Sequence, residues 1–272
     1  MFDKFINRYI IKGELISVTA LHVGAAEDVF SPGGCKNPFF RNAAGLPIIP
    51  GSSLKGAMRS FLELYLSSNS GKQRLFEETG YNQGICNRQQ PCADIKKDSK
   101  LKELLKDKGA DAEKKLSDYL YGSRNEGGLC IICRIFGSQC SAAKLSIRDA
   151  GLSDDTFQDG FEIRSGVSID RNCGTKVDKN KFETEVVPED THFSFCAVLE
   201  NADSTEWEVV KKLLKALELG MIQIGGMKSR GLGEIKLVNA QYQYIDGENI
   251  ADYLAEENIG FIKLNNQDKG GV

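Results

Sequence analysis

The amino-acid sequence predicts an α+β fold of the ferredoxin-like type with elaborations. Segments with strand and helix periodicity follow one another in the order strand, loop, helix, insertion, strands, helix, strand, loop, strand. The 28 glycines among 272 residues provide turns between these segments. A chain of this length can bury one large core, so we predict a single domain over residues 1–272.

The first core strand is predicted in "ELISVTALHVG", residues 14–24, where Leu15, Val18 and Ala20 are the apolar positions and a glycine ends the run. The next segment, "AAEDVFSPGGCKNPFFRNAAGLP", is rich in Gly, Pro and Asn and predicts a long ordered loop. Loops of this length in compact domains are usually functional.

A helix is predicted next, in "IIPGSSLKGAMRS", residues 48–60. Ser52 or Ser53 is expected to cap it. Lys55 and Arg59 lie four residues apart on the exposed face, opposite the apolar stripe. Because a helix start presents unpaired N–H groups and a partial positive charge, this arrangement suits an anion. The alternative is an ordinary capped surface helix with two solvated cations.

Residues 68–133 are polar and predict an insertion outside the main core, with one charged helix in "SKLKELLKDKGADAEKKLSDYLYG". Regular structure resumes at "KLSIRDA". "HFSFCAVLE" predicts a strand with Phe193, Phe195, Ala197 and Leu199 on one face. "TEWEVVKKLLKALELG" predicts an amphipathic helix that ends on Gly220. Two further strands, "MIQIGG" and "GEIKLVNAQYQYI", flank the glycine-rich loop "GGMKSRGLG".

The hydrophobic fraction of 41% and the charged fraction of 27% indicate a globular protein rather than a disordered chain. No apolar run approaches the ~20 residues of a membrane span, and the first residues lack the pattern of a signal peptide. We therefore expect a cytoplasmic location and no membrane partner. The net charge of −3 argues against a uniformly basic nucleic-acid binder.

Two glycine-rich stretches, residues 29–62 and 221–233, contain basic residues and no acid. Their cations are Lys36, Arg41, Lys55, Arg59, Lys228 and Arg230. Glycines such as Gly225 and Gly226 let a polymer backbone approach closely, and neighbouring cations neutralise its phosphates. Neither stretch has the spacing of a P-loop or of a dinucleotide fingerprint. The alternative is that the glycines form turns and the cations are incidental.

The eight cysteines, in a compartment that keeps thiols reduced, indicate metal ligation rather than disulfides. Cys130 and Cys133 form a C-x2-C pair, and Cys86 and Cys92 form a C-x5-C pair. Four thiolates that arrive as two pairs suit a tetrahedral structural Zn2+, which would stabilise a segment poor in apolar residues. Cys140 is the substitute ligand, and buried free cysteines are the alternative.

The sequence has two histidines. His22, at the end of the predicted first strand, is placed to face a ligand, to stack on a base or to fill space. His192 begins a predicted strand and is expected to be structural.

Five motifs occur in an order that resembles the RAMP superfamily of CRISPR-associated proteins, especially the repeated backbone subunits of type III effector complexes. They are "LHVGAAEDVFSPGG", "PIIPGSSLKGAMRSFLE", "CRIFGS", "IRSGVSIDRNCGTKV" and "GGMKSRGLGEIKL". The resemblance implies a modified ferredoxin-like (RRM-like) palm, several copies of which stack with related subunits along a CRISPR RNA. The other implied partners are the target RNA and the large and small subunits of the complex. Such subunits read backbone shape rather than sequence.

The resemblance also implies roles for individual residues. The helix that starts near Ser52 would grip the guide backbone, and the glycine-rich loop would place Lys228 and Arg230 at phosphates. The thumb-like segment, residues 167–190, would flip out every sixth nucleotide of the guide–target duplex. The expected RNA-binding residues are His22, Lys36, Ser52, Ser53, Lys55, Arg59, Arg164, Arg171, Gly225, Gly226, Lys228 and Arg230.

One departure from the resemblance concerns cleavage of target RNA. Active relatives carry an aspartate two residues before the proline of the long loop, and in "GGCKNPF" that place is Lys36. A lysine does not hold Mg2+ as a carboxylate does. Either Glu27 and Asp28 supply the acid from a shifted position in the same loop, or the subunit binds RNA without cutting it.

Two other hypotheses remain open from the sequence. An enzyme of the same superfamily that processes the precursor transcript would use His22 as its general acid or base. A zinc-stabilised scaffold would instead bind proteins through its sheet.

Overall fold

The computed structural model describes residues 4–25, 35, 37–79, 85–86, 92, 98–109, 111–121, 128–153, 156–157, 160–169, 176–255 and 260–264. The described strands are β1 (Asn7–Ser17), β2 (Leu145–Ile147), β3 (Glu162–Ile169), β4 (Lys176–Val186), β5 (His192–Glu200), β6 (Ile235–Asp246) and β7 (Ile262–Lys263). The described helices are α1 (Gly51–Ser67), α2 (Asn69–Thr79), α3 (Ser99–Leu104), α4 (Ala112–Tyr121), α5 (Ile131–Phe136), α6 (Ser204–Glu218) and α7 (Ile250–Leu254). None of these helices combines the length and the apolar character that a bilayer crossing requires.

The main sheet is antiparallel and has five strands in the order β2-β5-β1-β6-β7. Its central strand, β1, pairs with β5 on one side and with β6 on the other. A separate two-stranded sheet is formed by β3 and β4. Helices and antiparallel strands share one core, so the predicted α+β class is confirmed.

The predicted apolar faces of the main elements form this core. In α1 the buried positions recur every four residues, at Leu54, Met58, Leu62 and Leu66. In β5 the alternation buries Phe193, Phe195, Ala197 and Leu199, as predicted. α6 begins with a capping box in which Asp203 and Glu206 accept each other's backbone N–H groups.

Two strand predictions are wrong in position. β1 begins at Asn7 and ends at Ser17, so His22 lies beyond the strand rather than at its end. Past Ser17 the chain leaves the ladder of β1, and the Leu21 N–H donates instead to the Val187 carbonyl oxygen at 2.9 Å. The predicted strand "MIQIGG" contributes one bridge, between Gln223 and Glu234, and its Gly225 has a φ of +75°, which is not strand geometry.

Residues 68–133 are less separate from the core than the sequence indicated. The predicted single charged helix is two helices, α3 and α4, and Gly109 lies between them. Leu101 of α3, Leu120 of α4 and the apolar residues of α5 join the same hydrophobic cluster as the main sheet. The few apolar residues of this region therefore attach it to the main core.

Candidate nucleic-acid interface and metal centre

An open groove of about 530 Å³ lies between the outer face of α1 and the loop that follows α6. Its α1 wall includes four small residues: Ser53, Gly56, Ala57 and Ser60. Its other wall includes Gln223, Gly225 and Lys228. Two segments that are distant in the sequence therefore meet at one surface, as a shared anion-binding site requires.

The start of α1 is occupied by a carboxylate of the protein itself. The helix begins at Gly51 after the N-cap residue Pro50, so the prediction that Ser52 or Ser53 caps it is wrong. The Gly51 N–H donates to Asp149 Oδ1 at 2.8 Å. This contact satisfies one donor of the helix start and complements the helix dipole. The outer face of α1 is therefore more available to an external anion than the first N–H group of the helix.

Lys55 and Arg59 lie on the other side of α1 from the groove. At 3.6 residues per turn, two positions correspond to about 200° around the helix. Lys55 therefore lies about 200° from Ser53, and Arg59 about 200° from Ala57, both of which line the groove. Arg59 Nε lies 2.9 Å from Glu63 Oε1, and Arg59 Nη1 donates to the Gly137 carbonyl oxygen at 3.3 Å. Burial and the neighbouring Arg59 lower the pKa of Lys55. The predicted exposed position is wrong for both residues, because α5 packs beside this face.

The glycine-rich loop packs directly on the backbone of His22. Gly225 has a φ of +75°, and a Cβ added there would lie 2.0 Å from the His22 carbonyl oxygen. The Gly226 N–H donates to the same oxygen at 2.9 Å. A side chain at residue 225 would therefore displace the loop, and glycine is required for this close approach.

The two cations of the loop are exposed and partly held in place. They lie in a 3-10 turn, Lys228–Arg230. Lys228 Nζ donates to the Gln223 carbonyl oxygen at 2.6 Å, which keeps the ammonium at the groove. The Arg230 guanidinium lies 5.0 Å from the centroid of the Phe182 ring on β4. The loop thus connects the groove with the β3–β4 sheet.

The His22 side chain is buried between the glycine-rich loop and β4. Its Nδ1 lies 2.7 Å from the Glu185 carbonyl oxygen, an acceptor, so Nδ1 carries the hydrogen. The Glu185 carboxylate accepts from the Phe39 N–H at 2.9 Å and pairs with Arg41 at 2.7 Å. His22 and Glu185 therefore tie together three segments, and the arrangement is that of a structural support.

The remaining predicted RNA-binding and catalytic residues are divided between the described and undescribed parts of the chain. Arg164 is exposed on β3, opposite Thr184 of β4. The other four residues lie outside the described ranges: Glu27, Asp28, Lys36 and Arg171.

Four cysteine sulfurs form a cluster that fits a tetrahedral metal ion. The Sγ atoms of Cys86, Cys92, Cys130 and Cys133 all lie within 4.8 Å of one another, and Cys86 Sγ is 3.5 Å from Cys130 Sγ and 3.2 Å from Cys133 Sγ. Four sulfurs bound at ~2.3 Å to one Zn2+ lie about 3.8 Å apart, so small shifts produce the tetrahedron. The four cysteines predicted from their spacing are therefore brought together, and Cys140 lies outside the group.

The four thiols of this cluster differ in pKa. Hydrogen bonds from Cys133, Cys86 and Cys92 lower the pKa of Cys130. The hydrogen bond with Cys130 raises the pKa of Cys86, but those with Cys133 and Cys92 outweigh it and bring the value to about 7. The same network raises the pKa of Cys92 and Cys133, in both cases chiefly through Cys130. A metal ion that replaces the shared protons would bind thiolates, which are the ligands that Zn2+ takes.

Two functional contacts were not found by sequence reasoning. Asp149, at the start of α1, follows β2 in "SIRDA", and Glu185 lies in β4. Each is a single acid in a charged stretch, and no spacing distinguishes it from a solvated surface residue.

A family model of the RAMP superfamily matches residues 14–236 of this chain. The chain belongs to the RAMP superfamily. The matched range runs from within β1 to the start of β6, so it contains His22, the groove and the four clustered cysteines.

This RAMP chain is similar to curated relatives that are named CRISPR system Cms endoribonuclease Csm3. The relative from Methanothermobacter thermautotrophicus is 27% identical over 267 residues, which cover 87% of this chain and 86% of the relative. The relative from Methanocaldococcus jannaschii is 28% identical over 255 residues, which cover 89% and 85%. The relative from Streptococcus thermophilus is 26% identical over 231 residues, which cover 80% and 81%.

Proposed function

We propose that this chain is a CRISPR RNA-binding backbone subunit of a type III effector complex. The observation that carries the proposal is the groove where the small-residue face of α1 meets the glycine-rich loop and Lys228. Membership of the RAMP superfamily and similarity to relatives named Csm3 support the same function.

The arrangement of the main sheet supports a ferredoxin-like (RRM-like) palm. The elements β1, α1, β2, β5, α6 and β6 follow the βαββαβ order of such a unit. Their four strands are neighbours in one antiparallel sheet. In this proposal the chain is one RAMP domain over residues 1–272, residues 68–133 are an insertion into its palm, and residues 167–190 are its thumb.

The chemistry of the groove suits a ribose-phosphate backbone of variable sequence. The hydroxyls of Ser53 and Ser60 can donate to phosphate oxygens. Lys228 supplies positive charge at the opposite wall, and none of the described residues that line the groove is acidic. Contacts of this kind depend on backbone shape rather than on bases, so they accept any guide sequence.

The β3–β4 sheet overlaps the proposed thumb, residues 167–190. It carries Arg164 in an exposed position, and the cation of Arg230 links its β4 strand to the glycine-rich loop. In this proposal the thumb kinks the guide–target duplex at six-nucleotide intervals, and Arg164 and Arg171 contact its phosphates.

A backbone subunit implies several partners. They are the CRISPR RNA, the target RNA, further copies of this chain or related RAMP subunits in a filament, and the large and small subunits of the complex. The proposed location of this assembly is the cytoplasm.

Cleavage of target RNA is a separate question from guide binding. The relatives are named endoribonucleases, whereas Lys36 stands in this chain where the resemblance places a Mg2+-binding aspartate. Substituting Glu27→Ala and Asp28→Ala in the assembled complex tests the two remaining acids. Loss of the six-nucleotide cuts would assign cleavage to them, and unchanged cutting would remove them from the mechanism.

A matched pair of substitutions in the groove tests guide binding. A Cβ on Gly56 meets no atom within 4 Å, so Gly56→Ala leaves the groove wall intact and stabilises the helix by about 0.5–1 kcal/mol. Gly56→Glu adds a carboxylate that repels phosphate. Guide RNA affinity, measured over a range of salt concentrations, should remain near that of the unsubstituted chain for Gly56→Ala and fall for Gly56→Glu. Lys228→Gln should lower the slope of log affinity against log salt by about 0.7.

The alternatives give different results in the same assays. If the unsubstituted chain binds no guide RNA in a salt-dependent way, the proposal is wrong. A defined cut of repeat RNA by the isolated chain in EDTA, abolished by His22→Ala, would favour a precursor-processing enzyme. Assembly of the complex without RNA would favour a zinc-stabilised protein scaffold.

A further inference from the structure

Arg59 contacts the end of α5, the helix that carries Cys133, and does not line the groove. Its Nη1 donates to the Gly137 carbonyl oxygen at 3.3 Å. Gly137 follows the last residue of α5, and its own N–H donates to the Cys133 carbonyl oxygen at 3.0 Å. The guanidinium therefore contacts the residue that ends the short helix on which Cys133 lies.

The cysteine cluster creates a charge that requires a partner. A Zn2+ held by four thiolates leaves a net negative charge on the site. Cys130 and Cys133 are buried, at 3% and 1% exposure, so water solvates this charge poorly. Buried charge of this kind is costly unless an opposite charge or donor lies close to it.

Arg59 lies where such a partner is needed, because its guanidinium contacts the residue that ends the helix of Cys133. Burial lowers the pKa of Arg59, but the hydrogen bond with Glu63 and the electrostatic attraction of Cys133, Glu63 and Cys86 raise it overall. Glu63 holds Nε and so fixes the orientation of the guanidinium. The planar fork thus contacts both Glu63 and the Gly137 carbonyl oxygen from one position.

Lys55, one turn earlier on the same side of α1, is the second cation of this helix face. It is also half-buried and basic, and its pKa is lowered by burial and then by Arg59. The cysteines are not among the groups that shift it. Lys55 is therefore a natural control for the effect of removing a cation from this face.

We propose that Arg59 is a positioning residue of the cysteine metal site. It compensates the negative charge of the metal-bound thiolates and, through Gly137, fixes the end of α5. One face of α1 then serves the metal centre while the opposite face forms the RNA groove. This assignment replaces the phosphate contact that the resemblance implies for Arg59.

The test measures metal retention in the full-length, zinc-loaded chain. Transfer of zinc to a chromogenic chelator gives the zinc affinity, and the absorption spectrum of the Co2+-substituted protein reports the geometry of the thiolate ligands. Arg59→Gln should lower zinc affinity about 10-fold, as loss of an outer-shell partner typically does. Arg59→Lys keeps the charge without the fork and should show a smaller loss. Lys55→Gln should retain zinc like the unsubstituted chain.

The same variants can also contradict the proposal. Zinc affinity of Arg59→Gln equal to that of the unsubstituted chain would overturn the proposal, as would an equal loss in Lys55→Gln. If Arg59→Gln does not fold, Arg59→Lys decides, and an unchanged zinc affinity in that variant counts against the proposal. A chain that takes up no zinc under any condition would overturn it too, without bearing on guide RNA binding.

Discussion

The imidazole Nδ1 of His22 lies 2.7 Å from the backbone carbonyl oxygen of Glu185. The carbonyl oxygen of His22 in turn accepts the Gly226 N–H at 2.9 Å. One buried residue therefore joins the glycine-rich loop to β4 through its backbone on one side and its ring on the other. The position of Lys228 at the groove depends on this connection, since the lysine belongs to the same loop.

Substituting His22→Ala should destabilise the chain and weaken guide RNA binding together. The Glu185 carbonyl oxygen loses its donor, and an unsatisfied buried acceptor costs about 1–3 kcal/mol. The free energy of unfolding in urea and the guide RNA affinity measure the two effects.

His22→Asn is the matched control, because its amide nitrogen can replace the Nδ1 donor. It should recover part of the stability and part of the affinity. Full affinity in His22→Ala would contradict the role of His22 as a structural support of the glycine-rich loop.

Substituting Gly225→Ala should move the glycine-rich loop. Its Cβ would lie 2.0 Å from the His22 carbonyl oxygen, and the φ of +75° disfavours any side chain. Gly231→Ala is the control, since residue 231 has a similar φ of +83° but no atom within 4 Å of the added Cβ. The control should lose about 1–2 kcal/mol from backbone strain alone. Gly225→Ala should lose more stability and also lose guide affinity; equal behaviour of the two variants would contradict the close packing.

The elements predicted correctly from the sequence are those specified by local patterns. The alternation in β5 and the apolar stripes of α1 and α6 reflect the periods of strand and helix, which hold wherever one face is buried. The cysteine pairs were also predictable, because metal ligation brings paired cysteines together whatever the fold around them.

The contacts missed at the site are between residues distant in the sequence. Asp149 reaches Gly51 across 98 positions, and Glu185 reaches His22 across 163. An amphipathic pattern distinguishes only the core-facing side of a helix from its other sides. It therefore predicts that Lys55 and Arg59 face solvent. The packing of α5 beside that side depends on the tertiary structure, which no local period encodes.

Removing the metal should destabilise the chain through residues 86–133. Zinc present at about 1,000 times its Kd stabilises a folded protein by about 4 kcal/mol, so chelation should lower the thermal midpoint. Cys86→Ser removes one of the four clustered thiols and should lower the zinc content measured by elemental analysis. Cys140→Ser, outside the cluster, should retain the metal. An unchanged zinc content in Cys86→Ser, or a loss in Cys140→Ser, would show that the ligand set is different.

A buried ion pair between Lys144 and Glu206 predicts a pH-dependent defect. Lys144 Nζ lies 2.6 Å from Glu206 Oε2, and the two side chains are 2% and 0% exposed. Burial raises the pKa of Glu206, although the attraction of Lys144 opposes it. Lys144→Met leaves the carboxylate without its partner and should cost about 3–5 kcal/mol at neutral pH.

This defect should shrink as the pH falls. A carboxyl group whose pKa is raised in the folded state binds a proton more readily there than in the unfolded chain, so acid favours the folded form. Urea denaturation of Lys144→Met from neutral to mildly acidic pH should show the gap to the unsubstituted chain closing. The double variant Lys144→Met, Glu206→Gln removes both charges and keeps a polar group at the α6 capping box. It should be more stable than Lys144→Met at neutral pH and much less sensitive to pH; a defect that is the same at every pH would mean that lost packing, not an unpaired carboxylate, is the cause.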